Sequence, residues 1–540
     1  MKVNWTAFST LLVAGMFATA AGGQELGRVS FKTSCNALAQ EKFERGVALV
    51  HSFYFPETTK AFMEAAQADP DCAIAYWGIA ISQRTNPLVL PLPAAALKNG
   101  LEAVQKGKAI AAKTERERDW LGAIEAYYKD YDKVDQTARG LAYERAMERL
   151  MEKYPDDLEA AIFYALALNE TALPSDKTYS KQLKAGALLE RIAEKQPEHP
   201  GMLHYLIHSY DYPPLAQRAI DAANRYARVA PGAPHARHMP AHIYSMVGMW
   251  PESVASNASS LAAAREQAAK TWPGASHPVE SHMLDFTEYA LLQMGQEKRA
   301  KQIVDENNAI RKLGFDYVVG YTGLAAVPAR YALERQAWAD AAALEPRGSH
   351  FPQAEAITHF ARAMGLARSG DLPAAEREVD KLKELRSLLE RAHQSYWAEQ
   401  VEIQILADSA WIAQGRGRKE EALKFMGAAA DIEDGSEKHV AMENRLYPMR
   451  ELLGDLLMEQ RMPAQALKQY ETALASTPNR LRGLYGAAKA AELGRNSQKA
   501  SHYFRRLVEL TKDADTDRTE IREAKAFLAV RLTGGIGAAR

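Results

Sequence analysis

The chain has 540 residues, enough for several domains or one long repeat array. Hydrophobic residues make up 47% and charged residues 25%, the balance of an ordinary folded soluble protein. The 67 Lys and Arg nearly cancel the 68 Asp and Glu, so no global basic field exists to draw in nucleic acid or an anionic membrane, and no nucleic-acid partner is expected.

Residues 1–20 read as a signal peptide. Lys2 supplies a positive start, Phe8 to Phe17 is an apolar run, and Ala18-Thr19-Ala20 is a small-x-small cleavage site. The run is too short to span a bilayer, and no later segment stays uncharged for long enough. The expected product is a periplasmic or secreted protein that begins near Ala21 and has no transmembrane segment; an uncleaved anchor is the alternative. Residues 21–85 open the folded part. Their cysteines, Cys35 and Cys72, are the whole complement of the chain, and an even count in an oxidising compartment predicts a disulfide over two buried thiols.

Strand signals are nearly absent, and apolar residues recur at helical spacing. Pro and Gly punctuate at intervals close to the repeat length of tetratricopeptide (TPR) helix pairs, about 34 residues. Gly46, Phe62, Ala65 and Pro70 take the small, aromatic, small and proline positions of one copy, and Ala466, Tyr470, Ala473 and Pro478 those of another. One repeat length beyond, Ala80, Ala500 and Phe504 fit again. The fold class is therefore all-α, a TPR-like helix-turn-helix solenoid wound as a right-handed superhelix. Residues 86–140 do not fit the period and read as a helical insertion in the N-terminal third, with Thr114 and Glu117 as a capping box. Residues 141–345 read as central repeats, punctuated by Pro155, Pro197, Pro231, Gly248 and Gly295. Residues 346–530 read as C-terminal repeats, and 531–540 as a disordered tail.

The central repeats hold a histidine cluster. Of 14 histidines, eight lie between His199 and His282. The repeat register aims His204 and His208 from one inner helix, His235, His238 and His242 from the next, and His282 with Asp285 from a third, all towards the concave face. Two of these helices carry an i, i+4 pair, which lies on one helical face and lets two imidazoles reach one metal ion. Neutral imidazole suits Zn, Cu, Fe and Ni, so a transition metal is the expected cofactor. The candidate metal residues are His204, His208, His235, His238, His242, His282 and Asp285, with Asp211 as a further ligand or an acceptor for a ring N–H. Pro240 interrupts the His235–His242 helix and should kink it. Tyr205, Tyr210, Tyr244 and Trp250 could wall a ligand or be repeat core, and Arg330 and Arg335 could meet an anion or be solvated. His359 and His439 stand apart. There is no glycine-rich phosphate loop, no GxSxG elbow and no cysteine placed as a nucleophile.

Several blocks together resemble a family of exported bacterial TPR proteins: FERGVALVHSFYFPETTKAFMEAAQADPDCAIAYWGIA, HYLIHSYDYP, APHARHMPAHIYSMVGMW, YALERQAW, and EKH followed by RELLGDLLMEQ. Similar sequences carry these blocks in the same order over nearly the whole mature chain, reading HYLIHAYD, HMPSHI and HALDY. The matching positions here are His204, His208, Asp211, His238, His242, His282 and Asp285. The chain departs at Ala241, where Ser is usual, and after His439, where a Pro-rich run is usual. The resemblance implies the fold and export, and brings no established activity with it.

Two readings follow. In the first, the groove binds a transition metal together with a ligand, to store it, deliver it or use it in catalysis. In the second, the groove is a periplasmic scaffold for a protein or peptide, with histidines as polar contacts and no metal. A metal-free His/Asp acid–base enzyme is a third possibility, without a visible nucleophile to support it.

Overall fold

The computed structural model describes residues 25–443 and 445–537, so the expected signal peptide lies outside the described residues. Helices come in antiparallel pairs: α1 (Ala37–His51) with α2 (Glu57–Ala68), α3 (Ile74–Ser82) with α4 (Ala94–Ile110), α5 (Glu115–Tyr128) with α6 (Gln136–Lys153), and α7 (Leu158–Glu170) with α8 (Ser180–Ala193). Then come α9 (Pro200–Tyr210) with α10 (Ile220–Val229), the broken rod α11 (Pro234–His238) and α12 (Pro240–Val247) with α13 (Trp250–Thr271), α14 (Glu280–Gln293) with α15 (Glu297–Ala309), and α16 (Val318–Glu334) with α17 (Trp338–Ala342). The last pairs are α18 (Pro352–Ser369) with α19 (Leu372–Arg391), α20 (Ser395–Gly415) with α21 (Lys419–Gly435), α22 (Met449–Glu459) with α23 (Pro463–Ser476), and α24 (Leu481–Leu493) with α25 (Ser497–Leu510), closed by α26 (Thr519–Gly537). First helices also touch across repeats, as α1 does α3 and α14 does α16, which is the stacking of a TPR-like solenoid. None of these helices is long and apolar enough to cross a membrane.

The repeat has a steric signature at both ends. Phe62 lies between Gly46 and Gly78, where an added Cβ would come within 2.7 and 2.1 Å of its ring. Tyr470 lies in the same way between Gly454 and Gly486, at 2.7 and 2.4 Å. A second-helix ring thus fills the gap that two glycines leave in the flanking first helices. Burying such a ring stabilises the stack by about 1.5–3 kcal/mol.

Cys35 and Cys72 form the expected disulfide, tying the start of α1 to the start of α3 with their Cα atoms 5.0 Å apart. Thr114 caps α5 by accepting from the Glu117 N–H at 3.2 Å. Glu117 does not complete the capping box: its carboxylate accepts from the Ser34 N–H and hydroxyl at 2.6 and 2.7 Å. The stretch 86–140, expected as an insertion, instead continues the stack, because α3 packs on both α4 and α5, and α5 on α6. At the C-terminus α26 carries on to Gly537, over most of the segment expected to be irregular. The Ala-, Leu-, Glu- and Arg-rich stretch before it propagates the helix.

The concave face is closed. Arg480, fully buried at the start of α24, donates to Glu451 at 2.7 and 2.8 Å and to the Tyr289 hydroxyl at 2.7 Å, and pairs with Glu334 at 2.7 Å. The Trp250 indole donates to the Asn479 carbonyl at 2.9 Å. The link 436–448 between α21 and α22 runs over the central repeats, with Glu437 on Lys177 at 2.6 Å and Lys438 on Asp211 at 3.0 Å. The expected open groove is therefore a filled interior, since Arg480 of the C-terminal repeats neutralises Glu334 of α16 and Glu451 of α22 and reaches Tyr289 of α14.

Candidate metal centre

The inner helices α9, α11–α12 and α14 lie side by side and carry all six clustered histidines. His199 caps α9, its Nδ1 accepting from the Met202 N–H at 3.3 Å. Pro240 has no N–H, so the rod breaks at Met239 and resumes with a tighter link from the His242 N–H to the Met239 carbonyl at 3.1 Å. His235 and His238 both precede that break on α11, and His242 follows it; His235 faces His204, and His238 faces His242 and His282.

Two triads result: His204, His208 and His235, and His238, His242 and His282, with the candidate ligand atoms of each within 4.8 Å of one another. Nε2 of His204 lies 3.0 Å from Nε2 of His208 and 3.1 Å from Nε2 of His235. Nε2 of His238 lies 3.1 Å from Nε2 of His242. The triads adjoin: the rings of His208 and His242 are 6.3 Å apart, and those of His235 and His238 are 6.1 Å apart.

The outer ring nitrogens decide where the protons sit. His204 Nδ1 lies 2.6 Å from the His51 carbonyl oxygen, which can only accept. His238 Nδ1 lies 2.6 Å from Asn257 Oδ1, and the Asn257 NH2 donates to the Ser253 carbonyl, fixing the amide orientation. His242 Nδ1 lies 2.9 Å from Asp211 Oδ2, which also accepts from Lys438. All three therefore carry their hydrogen on Nδ1 and turn a bare Nε2 inward. His238 and His242 face each other at 3.1 Å with two lone pairs and no proton between them. A second proton is disfavoured: burial drives all six rings well below the ordinary histidine value, His238 to about 4, with neighbouring imidazoles adding to the effect at His204, His208, His235, His242 and His282. Nδ1 of His282 is buried with no hydrogen-bond partner. Two nitrogens on one tetrahedral zinc, each at its usual bond length, stand about 3.3–3.4 Å apart. The His204–His208, His204–His235 and His238–His242 pairs are within a few tenths of an ångström of that spacing.

A third set, His51, Glu159 and His199, has similar proximity and a different proton account. Both histidines direct Nε2 at Glu159, each at 2.9 Å. His51 Nδ1 accepts from the Tyr205 hydroxyl at 3.0 Å, and His199 Nδ1 is the α9 cap. Every lone pair has a donor and every N–H an acceptor. Burial alone would raise the Glu159 carboxyl, but the two imidazoles beside it bring it down to about 2.

Asp285, expected among the ligands, belongs elsewhere: it is bound to the fully buried Arg330, Oδ1 to Nε at 3.0 Å, and joins neither triad. Arg330 is therefore neither a solvated charge nor an anion site, while Arg335 is half-exposed beside Glu297 and Asp340. Tyr205, Tyr210, Tyr244 and Trp250 are core, each with its polar atom satisfied by protein. His359 is held by Glu378 at 2.6 Å, and His439 lies against Trp397 with ring centroids 4.8 Å apart, both outside the triads.

A pocket of about 870 Å³, its open mouth included, reaches His235, His238, His242 and His282. Its walls are formed by other residues than those anticipated, namely Phe53, Phe55, Trp272, Val279, Phe315 and Tyr317. Phe53 sits at φ +47 in the turn after α1, a conformation a bulky side chain seldom adopts, and holds its ring 5.4 Å from that of His235 and 4.5 Å from that of His204. Asn257, Lys438 and Glu159 were also missed by sequence reasoning. The only local signal was the EKH block, which ends one residue past Lys438.

No family model and no curated protein matches the chain. Among solved structures it is similar to Naa15/Naa10 bound to HypK-THB, at 12% identity over 93% of this chain and 92% of that one, with a TM-score of 0.24. It is also similar to a human IFIT1 dimer with m7Gppp-AAAA, at 12% identity over 81% and 90% of the two chains, with a TM-score of 0.36. Neither likeness says anything about what this chain binds.

Proposed function

We propose that this is an exported metalloprotein in which each of the two histidine triads holds one transition-metal ion, zinc, copper, iron or nickel, inside a closed TPR-like scaffold. The observation that carries the reading is the pair His238 and His242. Their Nδ1 atoms are committed to acceptors, their Nε2 lone pairs face one another, and burial disfavours the proton that would reconcile them. A Lewis acid satisfies this arrangement and a hydrogen bond does not. Three nitrogen ligands per ion are also the donor set of catalytic sites, which keep a further position for water or substrate, and such an ion supplies Lewis acidity there.

The chain's own residues set the geometry. The His51 carbonyl, Asn257 and Asp211 fix which ring nitrogen faces inward, and Lys438 balances the Asp211 charge beside His242. Export to the periplasm is supported by the N-terminal charge, apolar run and small-x-small order, and by the Cys35–Cys72 disulfide. A TPR-like fold suits protein binding in general. The face that would take a peptide is occupied by 436–448 and the C-terminal repeats, so metal binding is the preferred reading.

The test is elemental analysis of protein purified from its export compartment without chelators. One ion per triad is expected, with the second triad's ion lost in His238→Ala/His242→Ala. Protein that arrives metal-free and takes up none of the four metals on titration overturns the proposal.

A further inference from the structure

The two triads are not equally open. Phe53 covers the first: its ring lies 4.5, 6.1 and 5.4 Å from those of His204, His208 and His235. The pocket reaches all three members of the second triad, and of the first only His235. An entering molecule therefore meets the His238, His242 and His282 side.

The walls say what kind of molecule that is. Phe53 and Phe55 lie 6.4 Å apart at a small interplanar angle, and Trp272 meets Phe315 edge-on at 5.8 Å, with Tyr317 5.9 Å beyond Phe315. Val279, Val319 and Val440 fill between them. No Lys, Arg, Asp or Glu side chain lines the pocket among the described residues. His277 and Gln267 satisfy each other at 3.1 Å. Phe315 is 44% exposed, a large apolar ring held in water at the mouth. Such a lining stacks flat apolar rings, and it offers no counter-ion to a charged group, which would be desolvated on entry. Beside Thr85 and Asn86, whose Oδ1 already accepts from the Leu88 N–H at 3.0 Å, the main group of polar atoms for a ligand's polar end is the imidazole floor.

We infer that the pocket binds an uncharged aromatic small molecule, rings between the Phe53/Phe55 and Trp272/Phe315 walls and one polar atom towards the second triad. This inference rests on the metal reading only for what the polar atom meets; the walls stand without it.

The experiment titrates full-length protein with 2-naphthol, neutral at pH 7, and with 2-naphthoate, its anionic counterpart, by calorimetry, with metal content measured on the same samples. In protein stripped of metal, 2-naphthol is expected to bind and 2-naphthoate about tenfold or more weakly; a metal ion on the floor would itself meet the carboxylate, so the charge comparison is read on the stripped protein. Phe315→Ala, an exposed position that does not threaten folding, is expected to weaken 2-naphthol several-fold, and Phe55→Asp about tenfold. Equal binding of the two probes to stripped protein, no binding of 2-naphthol, or indifference to both variants overturns the inference. Metal without 2-naphthol binding defeats the pocket alone, and 2-naphthol binding without metal defeats the metal reading alone.

Discussion

The two histidine triads and the His51–Glu159–His199 set are built from the same kind of ring, at similar burial and on neighbouring helices, yet they solve the proton problem differently. Glu159 supplies two acceptor oxygens, so both imidazoles beside it donate and are satisfied within the protein. The triads contain no carboxylate; the outer nitrogens of His204, His238 and His242 are fixed by the His51 carbonyl, Asn257 and Asp211, and the Nε2 atoms of these three turn inward as bare lone pairs. Proximity of histidines alone therefore does not mark a metal site. The partner of the far ring nitrogen does.

The largest effect expected from breaking this contrast is in His238→Ala/His242→Ala, which should lose the second triad's ion while Glu159→Gln keeps full metal content by mass spectrometry. Glu159→Gln should instead cost stability, about 3–5 kcal/mol, because it removes a buried charge-assisted partner from two rings, seen as a lowered midpoint in denaturant. The Asn257→Leu variant removes the acceptor that orients His238 and should weaken metal binding about 10–100-fold by competition with a chelating dye, with little change in fold by circular dichroism. Smallest is Tyr205→Phe, which deletes one donor to His51 and should cost about 0.5–1.5 kcal/mol with no change in metal content.

Acid separates the two regions as well. The triad histidines titrate below their ordinary value of 6.5 in the folded protein, so the unfolded chain takes up protons first as pH falls. Metal-free protein should lose stability from about pH 6.5 downwards, by up to about 1.4 kcal/mol per histidine per pH unit. The Glu159 carboxyl, lowered from 4.5 to about 2, contributes stability that is full above 4.5 and fades as pH falls towards 2. Denaturation midpoints measured against pH should show the first decline flattened in the histidine variants and the second removed in Glu159→Gln.

The repeat was legible because its steric rule is local. Phe62 and Tyr470 need a small residue in each flanking helix, and the sequence carries those glycines at a fixed spacing. The six histidines were legible too, since register alone puts them on inner helices. Their division into triads was not: His235 and His238 sit on one short helix, and only the tertiary arrangement of the inner helices gives His235 to the first pair and His238 to His242. Asp285 was misassigned because its partner, Arg330, arrives from the next inner helix. The partnership of His51 with Glu159 joins residues far apart in the chain, with no pattern to announce it. The pocket walls come from the turn after α1 and the stretch 315–319, and only the closed shape of the stack brings these together.

Lys438 gives the centre a timetable. Its ammonium, 6% exposed, meets Asp211 from a segment that follows α21, whereas every histidine ligand lies before α15. As the chain emerges from its N-terminus, all six imidazoles are present before the residue that neutralises the carboxylate behind His242. The mature electrostatics of the second triad thus arise only when the last third of the chain has folded back over the first two. A completed centre is a report that the whole solenoid has closed.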